Sequence, residues 1–302
     1  MKKRFWFRIL VIFCSIAILE IVLRLIGFGS VPVYYKSSRY EYSLVPNQSI
    51  QRFGNFFFIN SLGMRSSEIA PGEKMVMGFG DSVFNGGVAL SQNELASSII
   101  DSTIASEFKN LRFTNTSAGS WGVSNAYNWF MEKDFGNPRA IVLVFSSHDY
   151  DDKMKFQDVV GEVPFYPDSQ PLSALTDAVG WIYSRYFEKI NWSELDYTRE
   201  YVADSTDHDS AWEKFIEYSV SYNIPLIVYH HPDKSEALIG NWNKKGQNLE
   251  KLLISFGVEP ISGLGVQMDE SDYRDEIHPS ASGQQKIAEA ILPALNSVLK
   301  DE

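Results

Sequence analysis

The hydrophobic pattern changes character twice along the chain. Residues 5–26 are mostly apolar, and 9–19 is interrupted only by Ser15. The whole segment matches the about 20 residues of a membrane-spanning helix, although its uncharged centre is shorter. Residues 28–73 hold few helix signals. Phe56-Phe57-Phe58-Ile59 predicts a strand, and Asn60 to Arg65 a turn with a short strand after it. This part reads as a stalk and lead-in, with a hairpin added at the edge of a sheet. From Lys74 onward, strand-length apolar runs alternate with helical stripes. Strands are expected at 75–79, 111–116, 140–145, 224–229 and 258–261. The helices between them show apolar faces such as Leu95, Ile99, Ile100, Thr103 and Ile104, or Trp212, Phe215, Ile216 and Val220. Helix is also expected over 126–135 and, with a weak point at Gly240, over 235–256. The last helix, 282–300, carries Ile287, Ile291, Leu295 and Val298, with a bend at Pro293.

Residues 150–207 break this rhythm with Pro164, Pro167 and Pro171 and a helical stretch over 172–190. Phe156, Phe165, Tyr166, Trp181, Tyr186 and Trp192 make the insert aromatic. Such rings can form a lid or a sugar-stacking platform; the more ordinary reading is a helix packing its rings onto the sheet. Alternating strands and helices imply a parallel sheet of about five strands with helices on both faces, a three-layer α/β/α architecture. Ligands of such folds sit at the carboxyl ends of the strands. Those ends carry Ser82, the Gly119 to Gly122 segment, His148 and His230, and, beyond the last strand, Asp275 and His278.

Charge orients the first segment. Lys2, Lys3 and Arg4 precede it, Arg8 can snorkel, and Glu20 and Arg24 stand four apart and can pair. The positive end belongs in the cytoplasm and the remainder outside it. A signal peptide cleaved after Ser15-Ile16-Ala17 is the competing reading, although it leaves Ile-Leu-Glu-Ile-Val-Leu at a mature terminus; a buried core helix is a third. Cys14 is the only cysteine, so neither an internal disulfide nor a cysteine metal cluster can form. Val11-Ile12-Phe13 before it lacks the small residues of a lipoprotein processing site. The 302 residues are 44% hydrophobic and 22% charged, which suits a folded chain with a substantial core. A formal net charge of −11 argues against nucleic acid as a partner.

Chemistry concentrates in Gly80-Asp81-Ser82, where an apolar run ends in a glycine-rich turn. Acyl chemistry at serine needs an exposed hydroxyl, an imidazole base, a carboxylate to orient that base, and donors for the oxyanion. Ser82 can be the nucleophile and His278 the base. Asp275, three residues before His278, can hold one ring nitrogen and leave the other for the serine. Other residues have plainer readings. Asp81 is expected to hold the turn through hydrogen bonds to backbone. Adjacent His230 and His231 point to opposite faces of a strand, which argues against a metal. Asp149, Asp151 and Asp152 read as a solvated acidic loop, with calcium binding as the alternative. Arg65 reads as a surface ion pair, with a carboxylate clamp as the alternative, and His208 as an exposed residue. No metal or cofactor is expected.

Three blocks together resemble the SGNH (GDSL) hydrolases. Gly80-Asp81-Ser82 matches the first, Ser117-Ala118-Gly119-Ser120-Trp121-Gly122 the second, and Asp275-Glu276-Ile277-His278-Pro279 the last. The resemblance covers residues 74–300 and implies a flavodoxin-like fold and a Ser82–His278–Asp275 triad. It also implies an oxyanion site built from the Ser82 N–H, the Gly122 N–H and the residue at position 148. That residue is usually asparagine in the family; here it is His148, which can donate an N–H but differs in length and charge. The anchor and Asn60 to Arg65 look like a bacterial subset similar to enzymes that add or remove acyl groups on envelope polysaccharides.

The expected organisation is an anchor over 1–27, a stalk over 28–73, and a catalytic domain over 74–302 outside the cytoplasm. The expected activity is ester hydrolysis or acyl transfer on an envelope carbohydrate, alongside proteins that build that polymer. A lipid esterase and a non-catalytic polysaccharide-binding protein on the same fold are the alternatives.

Overall fold

The computed structural model of the chain describes residues 2–186 and 207–300. Helix α1 (Lys2–Ile26) comes first, then strands β1 (Tyr34–Ser37), β2 (Glu41–Leu44), β3 (Gln48–Arg52) and β4 (Asn55–Ile59). Next are β5 (Lys74–Gly80), α2 (Ser82–Asn85), α3 (Ala96–Glu107), β6 (Leu111–Ser117), α4 (Val123–Lys133) and β7 (Ala140–Ser146). The chain continues through α5 (Ala174–Tyr186), α6 (Ala211–Tyr222), β8 (Leu226–His231), α7 (Lys234–Ile239), α8 (Lys244–Ser255), β9 (Ile261–Ser262) and α9 (Ala281–Lys300).

Five of these strands form one parallel sheet in the order β6-β5-β7-β8-β9, the expected three-layer α/β/α arrangement. Strand side chains alternate between its faces. Met77, Phe79, Ile141, Leu143 and Phe145 meet Trp129, Phe130, Trp212, Phe215 and Leu253 from α4, α6 and α8. Val76, Val142, Val144 and Tyr229 meet Ile100 and Ile104 of α3 and Ile287, Ile291 and Leu295 of α9. Each such fully buried aliphatic or Phe side chain contributes about 1.5–3 kcal/mol, so these two layers fix the sheet. The strand order reverses direction between β5 and β7. Such a switch point opens a crevice at the strand ends, and Ser82 follows β5 there. Gly80 makes the close packing possible, since a Cβ there would stand 2.6 Å from Phe84 Cβ and 2.7 Å from the Val144 carbonyl oxygen.

Residues 28–73 hold the expected strand at 56–59, as β4, but depart from the expected stalk and sheet-edge hairpin. They form two antiparallel hairpins, β1–β2 and β3–β4, neither paired with the five-stranded sheet, and no strand follows Arg65 before β5. Tyr40, Tyr42 and Met64 are fully buried in the layer under α4 and α6. The segment is therefore packed into the domain, because its aromatic residues complete the core.

Helix α1 is long and apolar enough to cross a membrane over Lys3–Ile26, and none of that window is buried. The Glu20 carboxylate accepts the N–H groups of Ala174 and Leu175 at 2.9 and 3.0 Å, capping α5. Asp177 of α5 pairs with Arg52 and accepts the Gly29 N–H. Helix α5 thus packs against α1 and the second hairpin: Trp181 meets Phe28 and Phe53, so this ring does not lie on the sheet. Phe156 and Tyr166 are buried, while Phe165 and Tyr186 are exposed; Trp192 lies outside the described residues. Gly240 ends α7 in a left-handed conformation, so 235–256 is two helices. Val220 is exposed and does not join the buried face of α6. Pro293 lies within α9 without ending it.

Candidate active site

Ser82 is the first residue of α2, directly after the glycine end of β5. Asp81 Oδ1 accepts the Val83 N–H at 2.8 Å, which caps that turn as the sequence suggested. Ser82 Oγ lies 2.9 Å from His278 Nε2. His278 Nδ1 lies 2.8 and 2.9 Å from the two oxygens of Asp275. The three residues come together across 196 positions of chain.

The loop that carries His278 is held from several sides. Asp275 Oδ1 also accepts the backbone N–H groups of Ile277 and His278, at 3.0 and 2.8 Å. Tyr273 and Pro279 form an antiparallel bridge, Arg274 Nε donates to the Pro279 carbonyl, and Lys234 N–H to that of Glu276. Partial burial pushes the Asp275 carboxyl up, but the N–H donors and the His278 ring outweigh it and hold the group below the ordinary range. It stays ionised where an imidazolium needs a counter-charge.

The Gly122 N–H is not free. It donates to Asn125 Oδ1 at 2.9 Å as the start of α4, and Gly122 is packed so closely that a Cβ would run into the Asp152 carbonyl oxygen. The adjacent Gly119–Ser120 turn is more open, with Ser120 in the left-handed region at φ 55°. Among the described residues, no hydrogen bond takes the N–H of Ser82 or of Ser120. His148 sits in the 3-10 turn after β7 and is 46% exposed. Its Nε2 faces two carboxylates, 3.6 Å from Asp81 Oδ2 and 3.6 Å from Asp149 Oδ1.

Asp149 is not solvated. It is fully buried, and burial pushes its carboxyl well up; burial, then the neighbouring Asp149, push Asp81 to about 8. His230 is buried too, stacked on Trp242 with ring centres 3.6 Å apart and 3.1 Å from Ser147 Oγ, so it does not open onto the rim. His208 is mostly buried and 3.0 Å from Glu213.

Two residues support the Ser82 turn in ways the sequence did not suggest, and Arg65 is not the surface ion pair expected. Arg65 is buried, lies over the Phe57 ring, and donates to the carbonyls of Asn85, Gly87 (2.6 Å) and Leu90 (3.0 Å). It grips the chain just after the Ser82 turn. Gln284 of α9 donates to the Val83 carbonyl at 2.7 Å and accepts the Ala96 N–H at 2.9 Å. Its signal is a polar residue on the otherwise apolar face of the last helix.

No known family model and no curated protein sequence matches the chain. Solved structures do overlap it. One is LAE5, an alpha/beta hydrolase enzyme from the metagenome of Lake Arreo, Spain, at 13% identity and TM-score 0.43, covering 77% of this chain and 99% of that one. Another is the acetyl xylan esterase AlAXEase, at 14% and 0.43, covering 73% and 98%. A third is a member of the lipolytic protein G-D-S-L family from Veillonella parvula DSM 2008, at 15% and 0.39, covering 72% and 96%. Likeness at this level decides nothing about chemistry, which rests on the geometry above.

Proposed function

We propose that this chain is a serine-dependent ester hydrolase or O-acyltransferase of SGNH type, acting on an ester of a cell-envelope carbohydrate. The observation that carries the reading is the unbroken Ser82 Oγ–His278 Nε2–Asp275 relay, at 2.9 and 2.8 Å. Ser82 Oγ attacks the acyl carbonyl while His278 Nε2 takes its proton. The Asp275 carboxylate steadies the imidazolium that forms. His278 returns the proton to the leaving alkoxide, and an acyl-serine remains. Water, deprotonated by His278, then releases the acid; a sugar hydroxyl in its place gives transfer. The Ser82 N–H and the N–H of the Gly119–Ser120 turn supply the oxyanion site in place of Gly122.

Helix α1 acts as an uncleaved anchor with its N-terminus in the cytoplasm, and the domain works outside, alongside proteins that build the polymer. The support is the Lys2-Lys3-Arg4 start and the capping of α5 by Glu20, which ties the apolar helix into the folded domain. A cleaved leader would leave that cap on a short free end.

A lipid ester is the second reading. It is favoured by an apolar groove of about 810 Å³ lined by Val31, Phe53, Val88, Phe165 and Trp181, which begins five residues beyond the nucleophile at Gly87.

The test is acetate release from nitrophenyl acetate and from acetylated polysaccharide by the full-length protein in detergent. The reading expects turnover by wild type and background with Ser82→Ala. Equal rates for the two overturn it. Preference for long acyl chains moves the assignment to the lipid ester.

A further inference from the structure

Asp81 and Asp149 flank the switch point of the sheet, one after β5 and one within the turn after β7. Each carboxylate has one oxygen fixed by backbone. Asp81 Oδ1 takes the Val83 N–H and Asp149 Oδ2 the Ser146 N–H, both at 2.8 Å. The other oxygen of each, Asp81 Oδ2 and Asp149 Oδ1, is buried with no hydrogen-bond partner. Two buried carboxyl oxygens without partners, side by side, call for a shared proton or a cation between them.

What faces them both is His148 Nε2, at 3.6 Å from each. That is too long for a hydrogen bond. It is the separation of two ligands on one ion: bonds of ~2.0–2.2 Å at a tetrahedral zinc place ligand atoms ~3.3–3.6 Å apart. All three candidate ligand atoms lie within 4.8 Å of one another. The fixed second oxygens resemble the outer hydrogen bonds that orient metal-binding carboxylates. His148 is half exposed, so an ion can reach the place from solvent.

We infer that Asp81, His148 and Asp149 form a binding site for one divalent transition-metal ion of the zinc type, beside the nucleophile. One nitrogen and two carboxylate oxygens suit zinc better than magnesium, which prefers an all-oxygen octahedron. The ion neutralises both carboxylates and is open to a fourth ligand. The site involves neither His278 nor Asp275, so its existence does not depend on the esterase reading.

The test is calorimetric titration of Zn²⁺ into chelator-stripped, full-length protein in detergent, without a polyhistidine tag. Visible absorption of Co²⁺ at the same site serves as a second readout. The expected result is one saturable site in wild type, retained in Ser82→Ala and His278→Ala. His148→Ala, at a half-exposed position and with its fold checked by circular dichroism, weakens it by roughly tenfold or more. Asp149→Asn does the same where it folds. No saturable site in wild type overturns the inference, as does unchanged affinity in His148→Ala. Loss in His278→Ala with retention in His148→Ala places the ion on the triad and also overturns it. Labelling of Ser82 by a phosphonate is independent of these outcomes and keeps the two readings apart.

Discussion

His231 Nε2 lies 3.0 Å from the carbonyl oxygen of Ile277, the residue next to His278. The ring is buried at the end of β8 and donates that bond as a neutral imidazole. Burial pushes its pKa down to about 4, against an ordinary value of 6.5. The unfolded chain therefore binds a proton between these values that the native state refuses. The contribution is complete above pH 6.5 and is lost as pH falls toward 4, by up to about 3 kcal/mol. His231→Gln keeps a donor for Ile277 and removes the titration. Denaturant midpoints across pH 4–7 should fall less steeply in the variant than in wild type, with ester turnover retained at pH 7. Parallel curves would remove His231 as the source.

Arg65 satisfies three backbone carbonyls just beyond α2 and covers Phe57. Arg65→Ala leaves those acceptors buried without a partner, at about 1–3 kcal/mol each where water does not replace it. The expected outcome is a loss of at least ~3 kcal/mol in urea unfolding, and a fall in turnover as the Ser82 turn loosens. Arg65→Lys should recover only part, because one ammonium cannot match a fork that spans three carbonyls.

Arg52 and Asp177 form a bidentate pair, both nearly buried, between the second hairpin and α5. Asp177 also takes the Gly29 N–H, where the chain leaves α1. Asp177→Ala leaves the guanidinium on the Gly27 and Ser30 carbonyls alone, without a counter-charge, and should cost about 3 kcal/mol. Hydrogen exchange should rise in residues 174–186 and at the α1 junction, with hydrolysis of a small soluble ester little changed. Unchanged exchange would show that α5 is held without the pair.

In the proposed mechanism Asp275 orients His278 rather than taking its proton. Asp275→Asn offers a ring partner of the wrong donor pattern and should lower kcat by roughly 10³–10⁴ with KM nearly constant, as for triad aspartates in general. A loss below about tenfold would mean that the backbone of the 273–279 loop orients the ring by itself.

Much of the site was readable in sequence because its parts are local. Asp275 and His278 sit three apart on one loop, and Asp81 caps its own turn. The alternating strands were readable because each buries both faces and ends in polar residues. Burial of charge was not readable. Arg65 is interior because carbonyls from residues 85–90 converge on it, and Asp149 because Trp212 and the β7 turn close over it. Those partners are remote in sequence and leave no local pattern. Gly122 is ambiguous in sequence for a related reason. A glycine after a strand suits an oxyanion turn or a helix start, and the Asn125 side chain that takes its N–H leaves no local pattern.

The most direct test of the account is mass mapping of full-length protein after reaction with a serine-directed fluorophosphonate. The predicted result is a single adduct on the peptide that carries Ser82, formed much more slowly in His278→Ala and absent in Ser82→Ala. An adduct on another serine, or no adduct with folded wild-type protein, would contradict it.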